Sequence, residues 1–141
     1  MKKVKAKYKI SSKAKTLETL MPIIKNAKVL PLIRFSLREF IEKEDQIISS
    51  VKSSFQSNII VRSSSSNEDN LKSSNAGGFS SILDVDINSD EKIKNAIKQV
   101  IDSYGDFPNK EDEVFIQLML ENVSMSGVIF SSDIDTLSPY Y

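Results

Sequence analysis

The chain has 141 residues, 40% of them apolar and 27% charged, the make-up of an ordinary globular domain that can bury about 68–70% of its unfolded surface. Its 19 basic and 19 acidic side chains cancel, and it contains neither cysteine nor histidine. That excludes disulfides, thiolate and imidazole metal ligands, and any base, nucleophile or phosphate carrier built on histidine in this polypeptide.

In KVKAKYKI, lysine alternates with Val4, Ala6, Tyr8 and Ile10, a period of two that predicts a strand over residues 3–10. Leu17, Leu20, Met21 and Ile24 fall on one helical face, with a kink or restart expected at Pro22. KVLPLIRF reads as a short strand that Pro31 places at an edge or at its end. Ser36 and Glu39 form a capping box, and Leu37, Phe40, Ile41, Ile48, Val51 and Phe55 continue the apolar face of the helix it opens. NIIV and FSSILDV are strand runs. Asn88 or Ser89 caps a helix whose buried stripe is Ile93, Ile97, Val100, Ile101 and Tyr104. GDFPNKED is a loop, and EVFIQLML and SGVIFSSD are two further strands around a turn-like spacer.

Strands and helices intermix along the whole length, so the expected fold is α/β (α+β): a mixed sheet flanked by about three helices. Residues 1–141 read as a single domain without internal repeat. It is expected to be cut short at its C-terminal end, where a strong strand run has no closing helix after it. The chain has no apolar run of the ~18 residues that a membrane span needs. No apolar h-region follows the basic start, so the cytoplasm is the expected compartment.

Charge is unevenly spread. Residues 1–52 hold 13 Lys/Arg against 5 Asp/Glu, and the remainder holds 6 against 14. Such a basic half can face a polyphosphate or a nucleic acid, or can simply pair with the acidic half. Nucleic acid is the weaker reading, because the chain has no tryptophan and few aromatics among its lysines to stack bases.

The stretch IIVRSSSSNEDNLKSSNAGGFSSILDV, residues 59–85, holds eight serines and the pair Gly77-Gly78. Strand runs bracket it, unlike a linker, and long loops inside a compact domain are usually functional. Arg62 sits towards the end of the first run. A guanidinium, hydroxyls and glycine backbone N–H groups are all donors suited to phosphate oxygens. From these residues alone, an anion-binding loop and a purely structural loop both stand. Glu68-Asp69 reads as a turn or short helix start that orders the loop, rather than as a metal site.

The same stretch resembles the nucleotide-binding domain of phosphoenolpyruvate synthase and pyruvate phosphate dikinase, a family whose relatives include rifampicin phosphotransferase and glutamine kinase. The family pattern V-R-S-S-A-x-x-E-D, then A-G-x-x-x-T-x-L-N-V, is met by Val61, Arg62, Ser63, Ser64, Glu68, Asp69, Ala76, Gly77, Ser81, Leu83 and Val85. Upstream, SSKAKTLETL is similar to G-G-K-x-x-x-L-x-x-L, with Lys13 as the lysine and Ser11-Ser12 in place of the glycines. Downstream, FIQLMLENVSMSGVIFSSDIDT is similar to V-x-Q-x-M-V, a spacer and S-G-V-x-F-T-x-D-P-x-T-G.

The resemblance implies an ATP-grasp domain, here partial, that binds ATP between two lobes. It implies phosphate contacts from Lys13 and Arg62, a clamp of Gly77, Gly78 and Ser81 over the phosphates, and Gln117 along the nucleotide near the adenine. It places the Mg2+ ligands, the phosphohistidine domain and the acceptor domain outside this chain. The implied activity is that of an ATP-dependent phosphotransferase passing phosphate to a histidine on a separate domain or partner chain. The alternative is a non-catalytic remnant that keeps the fold without nucleotide turnover.

Overall fold

Ser12, Ser36 and Ser89 each accept a hydrogen bond from a backbone N–H that would otherwise go unpaired, that of Lys15, Glu39 and Lys92. Each opens a helix: α1 (Lys13–Leu20), α2 (Leu37–Ser54) and α3 (Asp90–Asp102). The computed structural model describes residues 11–65, 69–70, 73–74 and 80–127, together with 136 and 138. The strands expected over residues 3–10 and in SGVIFSSD therefore lie outside the described residues, apart from Ser126 and Gly127, which are not in a strand.

The strands are β1 (Leu32–Ser36), β2 (Ile59–Ser64), β3 (Asp69–Asn70), β4 (Ser73–Ser74), β5 (Ser81–Val85) and β6 (Glu113–Leu118). Among the described residues β3 and β4 pair only with each other, so Asp69 lies in a small antiparallel pair of strands. The other four form one sheet in the order β1-β6-β2-β5. The α+β class is as expected. Where a mixed sheet was expected, each pairing in this described sheet is antiparallel.

Register decides the two faces, because directly paired residues point the same way and neighbours in sequence point oppositely. Phe35, Val114, Val61 and Ile116 turn to one face and join Phe40, Ile48, Val51, Ile93, Ile97 and Val100 of α2 and α3 in the core. The opposite face carries the row Arg34–Phe115–Arg62–Ser81 across β1, β6, β2 and β5. α1 covers part of that second face.

A bulge in β5 keeps this arrangement. Val61 pairs with Ile82 and Ile59 with Val85, so β5 spends one extra residue. Asp84 takes it up at φ 55°, which lets both Ile82 and Val85 reach the core side while Leu83 stays 58% exposed.

The α1 stripe behaves differently from its periodicity. The helix stops at Leu20, ahead of Pro22, and its fully buried residue is Ala14, whereas Met21 is exposed. In α2 the capping box forms as expected, but Ile41 is 73% exposed. The helix breaks near it, at Lys43, whose φ of −137° is non-helical.

Candidate functional site

Two strands fix the position of Arg62. It lies within β2 rather than at its end, since the strand continues through Ser63 and Ser64. The sequence set it towards the end of its run; in an antiparallel sheet such a position presents its side chain on a face rather than at a strand end. The Arg62 guanidinium carbon sits 5.3 Å from the ring centroid of Phe115, its register partner on β6. This contact fixes the planar head by cation–π attraction. Nε of Arg62 is buried and has no hydrogen-bond partner. Glu68 and the side chain of Asp69 lie outside the described residues.

Ser81 is the β5 register partner of Arg62 and is exposed. Gln117 lies two residues beyond Phe115, on the same face, paired with Leu32 and Ile60. Its Nε2 donates to the Leu30 carbonyl at 3.0 Å, which anchors the segment before β1. Lys13 is the first residue of α1 and half-buried. The next residue, Ala14, donates its N–H to Ser64 Oγ at 2.9 Å, so the start of α1 is tied to β2 two residues past Arg62. The fold thus brings Arg62, Ser81 and Gln117 to one face and the start of the helix bearing Lys13 onto that face. Gly77 and Gly78 lie outside the described residues.

Several residues that the sequence reading left unmarked hold this face together. Glu113 is 4% exposed. Its carboxylate accepts from Ser12 Oγ at 2.6 Å and Arg34 Nη1 at 2.9 Å, and Lys15 Nζ stands 2.7 Å away. Arg34 Nε also donates to Glu18 at 3.1 Å. Burial acts to lower the Arg34 pKa, but the hydrogen bonds and charges of Glu18 and Glu113 outweigh it and hold the group above its ordinary value.

Tyr104 reaches the same edge from beyond α3. Its hydroxyl donates to the Glu113 carbonyl at 2.5 Å and accepts from Ser64 N at 3.1 Å. Ser65 Oγ donates to Asp112 at 2.7 Å. Two of the serines in the serine-rich stretch are therefore buried structural groups. In sequence Glu113 is the last of the three acids Glu111-Asp112-Glu113 ahead of an apolar strand run, and nothing local sets it apart from the other two.

Part of the uneven charge is consumed internally: four of the 13 basic residues of the first 52 pair across the halves. Lys15 and Arg34 pair with Glu113, Arg38 with Glu111, and Lys52 with Asp90, each joining the basic half to the acidic half. Among the described residues no group of three or more carboxylates is placed to hold a metal ion, and no helix is long and apolar enough to cross a membrane.

Residues 2–106 match the family model described as pyruvate phosphate dikinase, AMP/ATP-binding domain. The chain belongs to that family. Comparison with curated proteins and with solved structures gives no match. The matched span takes in α1 through α3, and with them Lys13, Arg62, Gly77, Gly78 and Ser81, while Gln117 and Glu113 on β6 lie beyond it. That family is one of AMP/ATP-binding domains of phosphotransferases.

Proposed function

We propose that this chain is the ATP-binding portion of a phosphotransferase of the pyruvate phosphate dikinase type, a partial ATP-grasp domain acting in the cytoplasm. The observation that carries the reading is Arg62: a buried Nε donor without a partner, held by Phe115 on the face shared with Ser81 and Gln117. Leaving such a donor unpaired costs about 1–3 kcal/mol, and a phosphate oxygen is the acceptor a guanidinium fork suits best. The residues fit the tail of a nucleotide.

In this reading Arg62 and Lys13 bind the phosphates, the first by directed hydrogen bonds and the second as a point charge. Ser81 adds a hydroxyl, and Gly77-Gly78 add backbone N–H groups that approach without a Cβ in the way. Gln117 has its amide nitrogen engaged by Leu30, so it offers its carboxamide oxygen to the nucleotide. Bound ATP with Mg2+ supplies the phosphoryl group, and the metal ligands belong to residues outside this chain. The resemblance implies a histidine as the phosphate acceptor, and this chain has none, so in this reading the acceptor sits on another domain or a partner chain. These residues hold and orient the donor.

A second reading, a domain that binds without turnover, has one observation in its favour. Lys15 and Arg34, two cations of the same face, are already paired with carboxylates, Glu113 for both and Glu18 for Arg34 as well. Thermal melting of the full chain with rising Mg-ATP, ADP and adenosine tests the proposal, because a ligand of the native state raises the melting temperature by mass action. A rise with ATP that exceeds the rise with adenosine is expected. No rise with any nucleotide would remove the proposal.

A further inference from the structure

We infer that Glu113 is a positioning residue for Lys13, acting through the hydroxyl of Ser12. This rests on the reading of the face as a nucleotide site. Where the resembled family has glycines ahead of the lysine, this chain has Ser11-Ser12. The second of these serines is buried and donates to the Glu113 carboxylate at 2.6 Å, across 101 residues of sequence.

The geometry explains what that bond does. Ser12 is the N-cap of α1, and Lys13 follows it directly. A glycine there would leave the start of α1 held to the sheet by the Ala14 N–H to Ser64 bond and by the Lys15 side chain on Glu113. With Ser12 bound to β6 and Ala14 bound to β2, the backbone on either side of Lys13 is fixed to two adjacent strands. Lys15 and Arg34 hold the carboxylate itself in place. A lysine on a fixed backbone loses less freedom when it meets an anion, so binding is stronger. The partner that a lysine ammonium favours is an anion, which the phosphate tail of a nucleotide offers and a nucleoside does not.

The test uses the full chain and calorimetric titration with Mg-ATP and with adenosine. Ser12→Ala removes the hydroxyl. Glu113→Asp keeps the charge but shortens the reach by one methylene. Each is expected to weaken Mg-ATP binding about three- to tenfold, the span of one net hydrogen bond, and to leave adenosine binding unchanged. In a Lys13→Met background neither is expected to cost more, because both act through the lysine. Ser12→Thr, which keeps the hydroxyl, is expected to restore affinity.

Single variants that bind Mg-ATP like the wild type overturn the inference alone. So does a parallel loss for adenosine, which marks a general structural role. A wild-type chain that binds no Mg-ATP overturns both the inference and the function on which it rests.

Discussion

Arg62 and Phe115 stand opposite each other on β2 and β6, with the guanidinium carbon 5.3 Å from the ring centroid and the Nε donor buried without a partner. Cation–π contact holds the head but satisfies none of its N–H groups. A residue placed only for stability is not left in that condition.

The first prediction separates these roles. Arg62→Met keeps the stem that covers Phe115 and removes the unpaired donor. Stability measured by urea unfolding is expected to be unchanged or higher, by up to about 1 kcal/mol. A clear loss of stability in that variant would return Arg62 to a structural role.

Glu113 is expected to behave in the opposite way. Its carboxylate is buried among Ser12, Lys15 and Arg34, so Glu113→Ala leaves Lys15 and the Ser12 hydroxyl without that acceptor and Arg34 with Glu18 alone. The expected loss is about 2–4 kcal/mol. It falls at the low side of the range for buried pairs because Lys15 is 48% and Arg34 27% exposed at the side chain, and both can rehydrate. Chemical denaturation with an unchanged m-value checks this; a change under 1 kcal/mol (roughly the surface-pair level) contradicts it.

Tyr104→Phe removes one hydroxyl that serves two backbone groups, Ser64 N–H and the Glu113 carbonyl. Stability is expected to fall by about 1–3 kcal/mol, the cost of buried backbone groups left without their partner. Faster amide exchange at Ser64 than at the neighbouring β2 positions is the local sign of it.

Acid sensitivity follows from the α2 cap. The backbone N–H of Ser36 donates to Glu39, and this bond above all holds the Glu39 pKa below its ordinary value of 4.5. A depressed folded pKa gives stabilisation that is present above the unfolded value and lost as the pH falls through the folded one. Melting temperature is therefore expected to drop as the pH falls below about 4.5, and to drop less in Glu39→Gln. Parallel pH profiles for the two proteins would contradict the assignment. Asp86 and Asp90 are depressed as well, first by the Asn88 N–H and by Lys52 respectively, and they act in the same direction.

What the sequence revealed was local. The Ser36–Glu39 box and the α3 stripe of Ile93, Ile97 and Val100 depend on residues three or four apart, and both are found as expected. Ile41 shows the limit of periodicity. It lies at the margin of its stripe, and the break at Lys43 settles its exposure by tertiary packing. β6 carries no alternation, because Val114, Phe115 and Ile116 are all buried, with α2 and α3 on one face and α1 with Arg62 on the other. No single-strand pattern could say which of these residues faces the side that carries Arg62.

The site was legible as a list of residue types and not as a geometry. Arg62, Ser81 and Gln117 come to one face only through the register of β2 with β5 and β6, a long-range property. Ser12 and Glu113 are 101 residues apart, so nothing near either of them announces the pair. The serine-rich stretch divides accordingly: Ser64 and Ser65 are buried hydrogen-bonding groups of the scaffold, while Ser81 is exposed beside Arg62.

The most direct test is isothermal titration of the full chain with Mg-ATP beside the Arg62→Met variant. The account predicts saturable heat for the wild type and an affinity at least about tenfold lower for the variant, the value of one charge-assisted hydrogen bond. Equal affinities, or no binding by the wild-type chain, would contradict it.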